Sequence, residues 1–233
     1  EAGNKNIPGI YIEFKEPWLN PKGFEQIVYD VLANTQDMNI IEKPEPEDTP
    51  FYINNGTINV GNTNGKVILQ TFSLESLVRV AEVFQGKVPM CFLLWKGTGA
   101  TDLTYDDPLG YASFINLGVK YKAHFIGPCI AGAPNDYPEL DQPWQDYLIH
   151  RAKMKNHPYT FDTYDQMAKY FGQYNFGVAD GMFNPPYLDA LFTNHSDMSI
   201  NYMITHGWRK SPASQTLVDA REVLRKLGYL DNN

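Results

Sequence analysis

The sequence is poor in the features that mark several protein classes. It holds two cysteines in 233 residues, Cys91 and Cys129, which stand far apart and form no Cys-x-x-Cys pair. This scarcity argues against a disulfide-stapled or zinc-bound scaffold, and it favours two buried free thiols over a single disulfide. No apolar run approaches the roughly 20 residues that a membrane-spanning helix needs, and no signal peptide opens the chain.

Positive charge and nucleotide-binding motifs are also scarce. Lysine and arginine total 19 against 27 aspartate and glutamate residues, so the formal net charge is −8. This balance argues against nucleic acid or an anionic membrane as the main partner. The sequence has no Gly-x-Gly-x-x-Gly motif and no P-loop, so nothing local supports a nucleotide-binding fold.

The sequence has the composition of a globular protein, and one of its predicted strands carries a carboxylate and an ammonium group on the same face. Hydrophobic residues make up 43% and charged residues 20%, which is typical of a soluble domain with one substantial core. The stretch 10–16 alternates apolar and polar residues, which predicts a β-strand that Pro17 ends. Glu13 and Lys15 share one face of this strand with Tyr11. A carboxylate beside an ammonium group suggests a polar site, although an ion pair on an exposed strand has the same pattern.

Strand and helix patterns then alternate along the chain. Further buried strands are predicted at 66–72, 89–95, 124–128, 157–161 and 178–183. Amphipathic helices are predicted at 21–33, 74–84, 109–123 and 141–154, and after an N-cap at Asp162. A hairpin at 51–60 and a tail helix after Ser211 complete the prediction. This alternation of strands and helices predicts an α/β fold with a parallel sheet.

Four of these segments together resemble the glycerophosphodiester phosphodiesterase family. They are Tyr11-Ile12-Glu13-Phe14-Lys15-Glu16-Pro17, Val67-Ile68-Leu69-Gln70-Thr71-Phe72, His157-Pro158-Tyr159-Thr160-Phe161 and Asp180-Gly181-Met182-Phe183. The resemblance implies a (β/α)8 TIM barrel in residues 1–195, with strands 3–8 present and the first two missing. Residues 196–233 would then form a helical extension packed on the barrel.

The resemblance also implies an activity and a set of site residues. Such enzymes hydrolyse glycerophosphodiesters to glycerol 3-phosphate and an alcohol with a divalent metal, Ca²⁺ or Mg²⁺, and the family favours a periplasmic or secreted location. By resemblance, Glu13 ligates the metal and Lys15 lies in the phosphate site as a catalytic residue. Gln70, Phe72 and Tyr159 would line the substrate pocket. Trp95 ends a predicted strand, where barrel sites lie, so it could stack on substrate or pack in the core.

Several parts of the family pattern are absent from this sequence. The family carries its acid and base in a His-Arg-Gly and a His-Asp motif, and two more metal carboxylates in a Glu-x-Asp motif; none of these occurs here. Of the histidines that are present, His157 precedes a proline on a strand and favours a structural role. Asp180 fits a turn before Gly181 as well as it fits a functional role.

This shortfall leaves two kinds of function open. Glu13 alone cannot supply the roughly six to eight oxygen ligands of a Ca²⁺ ion. We therefore expect a missing N-terminal segment or a second chain to complete the barrel, and the activity of this chain alone is in question. The alternative is a non-catalytic barrel relative that binds a phosphorylated or polyol ligand. A related phosphodiesterase acting on choline lysolipids is a further option.

Overall fold

The computed structural model describes residues 10–34, 67–95, 105–173, 188–207 and residue 225. The strands are β1 (Ile10–Glu13), β2 (Val67–Thr71), β3 (Met90–Leu94), β4 (Phe125–Pro128) and β5 (Lys155–Asn156). The helices are α1 (Phe24–Asn34), α2 (Leu74–Phe84), α3 (Pro108–Lys120), α4 (Pro143–Arg151), α5 (Tyr164–Ala168) and α6 (Ser196–Thr205), and a π-helical turn (Lys169–Gln173) follows α5. No helix within these ranges is long and apolar enough to cross a membrane.

The strands form one parallel sheet whose spatial order is the order of the sequence, β1-β2-β3-β4-β5. A helix lies in each connection between consecutive strands, as parallel pairing requires. The predicted α/β class with a parallel sheet is therefore confirmed. Because all the strands run the same way, the residues that follow their carboxyl ends lie at the same edge of the sheet.

The larger apolar core lies between the sheet and its helices. Its strand members include Leu69, Phe92, Leu94 and Ile126, and its helix members include Leu32, Leu77, Phe84, Phe114 and Ile149. The rings of Phe92 and Phe114 stack with their centroids 4.2 Å apart, joining β3 to α3. These alternate strand residues face the helices, so the residues between them face the opposite side of the sheet.

A second apolar layer covers that opposite, inner face. It consists of Cys91, Leu93 and Phe125, with Tyr11, Ile68, Phe72, Tyr159 and Phe192 packed against them. Both cysteines of the sequence are buried free thiols. Burial on both faces explains why the strands read as nearly continuous apolar runs in the sequence.

The sheet is strongly curved. In a flat sheet, four steps of about 4.8 Å would separate β1 from β5 by roughly 19 Å, which is more than a tyrosine and a histidine can bridge. The hydroxyl of Tyr11 on β1 nevertheless lies 3.1 Å from Nδ1 of His157, which directly follows β5. The two ends of the described sheet therefore meet through side chains on the inner face.

An additional segment, 188–192, continues the sheet beyond β5. The amide of Phe192 donates to the carbonyl of Pro158 at 3.0 Å, and the amide of Phe161 donates to the carbonyl of Phe192 at 2.8 Å. The ring of Phe192 lies 4.8 Å from that of Tyr11. This segment therefore lies beside β5, at a place where the sequence predicted no strand, and its Phe192 ring reaches Tyr11 of β1 on the inner face.

Several predicted boundaries are wrong. The first strand, expected at 10–16, ends at Glu13, so Lys15 follows the strand. The helices expected at 109–123 and 141–154 end at Lys120 and Arg151. The strand expected at 157–161 is assigned at Lys155–Asn156, although the amides of His157 and Tyr159 still donate to the carbonyls of Ile126 and Pro128 on β4. Pro158, which has no amide proton, faces segment 188–192 and only accepts there.

The N-cap of α5 is Thr163, whose side chain accepts from the Gln166 amide, and not Asp162. The Asp162 carboxylate instead accepts from the amide and the side chain of Asn194. The predicted hairpin at 51–60, the strand at 178–183 and the tail helix after Ser211 lie outside the described residues.

Candidate functional site

Glu13 and Lys15 lie together where β1 ends. The Lys15 ammonium is 3.6 Å from Glu13 Oε2. The Glu13 side chain is 21% exposed and the Lys15 side chain 70% exposed, so the carboxylate sits within the edge of the sheet and the ammonium extends into solvent. The chain leaves the sheet immediately afterwards, at Glu16, whose φ of 45° is left-handed.

The Glu13 carboxyl is held in an environment that disfavours its charge. Burial raises its pKa above the ordinary value, and the charge and hydrogen bond of Lys15 lower it by less. A carboxylate that is only partly compensated by one exposed ammonium gains from any further cation or hydrogen-bond donor that approaches it. Glu13 is therefore suited to take part in binding a ligand at this edge of the sheet.

Gln70 is the neighbour of Glu13 across the sheet. The two residues are partners in the parallel register of β1 and β2, so their side chains leave the same face. Gln70 Oε1 is buried and accepts no hydrogen bond within the described part of the chain. Since a buried amide oxygen almost always has a partner, this oxygen is an acceptor available to a ligand.

The described residues do not by themselves fit a metal ion. Within the described ranges, no group of three or more His, Cys, Asp or Glu side chains could hold one. Glu13 offers two oxygens and Gln70 one, whereas Ca²⁺ takes roughly six to eight and Mg²⁺ about six. A divalent ion at Glu13 would need further oxygen ligands beyond those that Glu13 and Gln70 offer.

Two of the predicted pocket residues form an aromatic wall. The rings of Phe72, just after β2, and Tyr159 meet edge to face with centroids 5.7 Å apart. Tyr137 extends this wall at 5.9 Å from Tyr159. The Tyr159 hydroxyl donates to the carbonyl of Leu94 at 3.0 Å, and burial raises its pKa. Tyr159 therefore contributes a fixed ring and no free acid or base.

Trp95 is placed differently. It follows β3 directly, is partly buried and packs against the larger core between sheet and helices. No described contact joins Trp95 to Glu13, Phe72 or Tyr159. The core-packing role that the sequence left open fits these contacts. Asp180, the other candidate at a strand end, lies outside the described residues.

Below Glu13, the inner face is closed by a small polar pair in an aromatic setting. The Tyr11 hydroxyl contacts His157 Nδ1 at 3.1 Å, and the His157 ring stacks on Phe125 at 4.0 Å. Burial lowers the pKa of His157 to about 4, and the Lys155 charge lowers it while Asp189 raises it. The imidazole is therefore neutral near pH 7, which agrees with the structural role that its sequence context favoured.

On the outer side of β5, a network of charged groups holds segment 188–192 and α4 in place. The Asp189 carboxylate accepts from the Asn156 amide, from His150 Nε2 and from the Lys155 ammonium, each at 2.8 Å. The side-chain amide of Asn156 in turn donates to Asp141 and Asp146, at 2.8 and 2.9 Å. These contacts face the helices and not the inner face, so they stabilise the fold and do not belong to the site.

The ionisation of this network follows from its contacts. Burial opposes the charge of His150, but hydrogen bonds to Asp146 and Asp189 outweigh it and raise the pKa of His150 to about 10. Burial would raise the pKa of Asp189, but the bonds from His150 and Lys155 lower it to about 2. Burial, followed by the neighbouring Asp146, raises the pKa of the fully buried Asp141 well above its usual range.

Sequence reasoning missed the residues that close the inner face. Tyr11 had a signal, since it lies on the same strand face as Glu13. Phe192 had none, because it lies beyond the last predicted strand. The contact between Tyr11 and His157 joins residues 146 positions apart, a separation that no local pattern encodes.

The fold and the site geometry together define a class of protein: an α/β chain with five parallel strands on a curved sheet and a carboxylate–ammonium pair at the strand ends. Comparison with known proteins finds no family model and no curated protein that matches the chain. The likeness to the phosphodiesterase family therefore rests on the four motifs of the sequence.

Proposed function

We propose that this chain is part of a (β/α)8 barrel enzyme that hydrolyses glycerophosphodiesters to glycerol 3-phosphate and an alcohol with a divalent metal. The observation that carries the proposal is the Glu13–Lys15 pair on the inner face, at the carboxyl end of β1. Active sites of such barrels lie at this end of the strands. Both residues occupy the positions that the family resemblance gives to the metal and phosphate site.

The barrel itself is the second part of the proposal. Five parallel strands in sequential order, each connection carrying a helix, match consecutive β/α units. The contact of Tyr11 with His157 gives the curvature, and segment 188–192 gives a sixth position. In this proposal β1 is the third strand of the barrel, as the family resemblance implies.

The described side chains have distinct roles in this proposal. Lys15 offers a mobile point charge to the phosphate, which suits an exposed ammonium on a flexible stem. Glu13 supplies one carboxylate of the metal set, and the Gln70 oxygen accepts a hydrogen bond from substrate. Phe72 and Tyr159 shape the pocket wall.

The proton for the leaving group comes from elsewhere. His157 is neutral near pH 7, since burial lowers its pKa to about 4, and its Nδ1 is already engaged by Tyr11. An imidazole that is not protonated to the imidazolium at the working pH is a poor general acid. The proposal therefore places the acid and the base among residues outside the described ranges.

The proposal is tested by release of glycerol 3-phosphate from glycerophosphocholine by the intact protein, with Ca²⁺ or Mg²⁺ present. We expect Lys15→Met and Glu13→Gln each to lower kcat/KM on the order of a hundredfold, because each removes a charge aimed at the reacting phosphate. Lys22→Met, which removes an exposed lysine a few residues along the chain, is the matched control and should leave the rate within about twofold.

A second function, a non-catalytic binder of a phosphorylated or polyol ligand, is favoured by one observation: within the described ranges, Glu13 belongs to no group of three or more His, Cys, Asp or Glu side chains that could hold a metal ion. Absence of release with either metal, together with saturable binding of glycerol 3-phosphate that Lys15→Met weakens, would support that role and reject the hydrolase. Absence of both release and binding would reject both functions.

A further inference from the structure

The loop that follows Lys15 is held by contacts from another helix. It connects β1 to α1 across residues 16–23, and it begins at Glu16 in the left-handed region, at φ 45°. This region is unfavourable for a residue with a β-carbon, so the conformation persists only where surrounding contacts enforce it. The Asn20 side chain provides one, since its amide donates to the carbonyl of Lys15 at 2.8 Å.

Arg79 of α2 provides the other contacts. Its Nη1 donates to the carbonyl of Pro17 at 3.1 Å, and its Nη2 donates to the carbonyl of Pro21 at 2.9 Å. Both carbonyls belong to the loop, so the two arms of one guanidinium hold its beginning and its end. Lysine has no planar fork with which to reproduce this geometry.

The guanidinium is itself fixed by a buried ion pair. Arg79 Nε lies 2.9 Å from Glu25 Oε1, and the two side chains are only 12% and 4% exposed. Glu25 lies in the first turn of α1, directly after the loop. A second carboxylate, that of Glu75, is 3.7 Å from Nη1 but 59% exposed. Arg79 thus joins α1, α2 and the loop in one buried contact.

We propose that Arg79 is a positioning residue for phosphate binding, which acts through the Pro17 and Pro21 carbonyls to fix the backbone from which Lys15 extends. This inference rests on the proposed function, since it takes Lys15 to be the phosphate ligand. A flexible four-carbon side chain delivers its charge to a defined point only if its backbone is held. The Arg79 guanidinium is already engaged by Glu25 and by the Pro17 and Pro21 carbonyls, so Arg79 is not the phosphate ligand itself.

The experiment is a double-mutant cycle on phosphate binding by the intact protein. Inorganic phosphate is titrated in the presence of Mg²⁺ and followed by calorimetry. We expect Lys15→Met to weaken binding about tenfold, as for a charge-assisted hydrogen bond, and Arg79→Lys to weaken it about fivefold. If Arg79 acts through Lys15, the double variant will bind about as weakly as Lys15→Met alone, because the two effects are not additive.

Glu75→Gln is the matched control, because it alters the exposed carboxylate near the same guanidinium and leaves both carbonyl contacts in place. It should leave the phosphate affinity within about twofold. Should Arg79→Lys fail to fold, the paired change Arg79→Met with Glu25→Leu removes both buried charges together, which proteins often tolerate, and the same cycle is run with it.

The outcomes separate the inference from the proposed function. Wild-type affinity in the Arg79 variant, or a double variant in which the two losses multiply to about fiftyfold, overturns the positioning role and leaves Lys15 as the ligand. Unchanged affinity in Lys15→Met, or no phosphate binding by the wild type, rejects the proposed function and with it the premise of the inference.

Discussion

His157 is the residue whose ionisation the fold constrains most directly on the inner face. Its ring is stacked on Phe125, its Nδ1 faces the Tyr11 hydroxyl, and burial lowers its pKa to about 4. In the unfolded chain a histidine titrates near 6.5. Between these two pH values the unfolded state binds a proton that the folded state does not, so acid favours unfolding across this range.

The first prediction concerns this pH range. Above about pH 6.5 the neutral His157 causes no loss in the free energy of unfolding. As the pH falls from about 6.5 to about 4, protonation of this histidine in the unfolded state lowers the free energy of unfolding by about 3 kcal/mol in all. Asp141 and Asp146, whose pKa values burial raises, act in the opposite direction at acidic pH. The measurement is therefore the difference in the free energy of unfolding between the wild type and His157→Asn, obtained from denaturant titrations at several pH values from 7 to 4.

We expect the variant to lose stability less steeply with acid than the wild type, because its amide cannot be protonated. Asparagine also keeps an acceptor near the Tyr11 hydroxyl. His195→Asn, at an exposed histidine, serves as the matched control for the replacement of histidine by asparagine. Parallel curves for the wild type and His157→Asn would show that the folded state does not exclude the proton.

At this scale the sequence predicted the polar members of the site better than the apolar ones. Strand alternation predicted that Glu13 and Lys15 lie together, and the family resemblance implied that Gln70 joins them. The register of β1 and β2 places Gln70 opposite Glu13. Trp95 could not be placed, because whether a strand-end aromatic turns to the pocket or to the core depends on the helices that cover it. The pair of Tyr11 and His157 depends on curvature, which sequence patterns do not encode.

At the scale of elements, local chemistry accounts for most helix starts. Ser73 is the N-cap of α2, and its hydroxyl accepts from the Ser76 amide. Thr163 displaced Asp162 at α5 because it forms a reciprocal capping box with Gln166. Two adjacent residues, each able to cap, cannot be distinguished by spacing alone. The start of α3 was predicted near Leu109 without its cap, which is Asp107.

A second prediction follows for this cap. The Asp107 carboxylate accepts from the amides of Leu109 and Gly110, both at 2.9 Å. Asp107→Ala leaves both amides without this acceptor and should lower the free energy of unfolding by about 1 kcal/mol. Asp107→Asn retains a capping oxygen and should come within a few tenths of a kcal/mol of the wild type. Equal losses in the two variants would assign the effect to charge and not to capping.

At the scale of the whole molecule, the curved sheet depends on a position without a side chain. Gly127 lies in β4, opposite Leu93. A β-carbon there would lie 2.7 Å from Leu93 Cδ2, 2.9 Å from Cys91 Sγ and 3.1 Å from the His157 carbonyl oxygen. The inner layer therefore closes over the β4 backbone, where only hydrogen fits.

The third prediction tests this close approach. Gly127→Ala should destabilise the protein by about 1–3 kcal/mol, because the buried Leu93 and Cys91 must move to admit a methyl group. Gly118→Ala, within α3, is the matched control: its β-carbon would meet the ends of Ile126 and Met154 at 3.3 Å, and the gain in helix propensity offsets the crowding. Denaturant unfolding of both variants makes the comparison, and equal stabilities would remove the steric argument.

The alternation of strands and helices was enough to predict a parallel α/β sheet, since each strand carries its own apolar run. It was not enough to place segment 188–192. That segment pairs through the carbonyls of Asn156 and Pro158 and is anchored by Asp189, and it has too few alternating residues to be read as a strand. Tertiary contacts of this kind determine which segment pairs with β5 at the end of the sheet, and local sequence patterns do not encode them.

The meeting of Tyr11 with Phe192 and His157 has a mechanical consequence. Among the described residues, no backbone hydrogen bond joins β1 to segment 188–192, so this seam consists of ring contacts and one hydroxyl. These contacts can separate without breaking backbone hydrogen bonds between strands. The free energy needed to separate them is therefore small compared with that needed to open the sheet between β3 and β4. Local opening should therefore begin at these contacts, and it would expose the aromatic inner face to solvent or to an incoming strand.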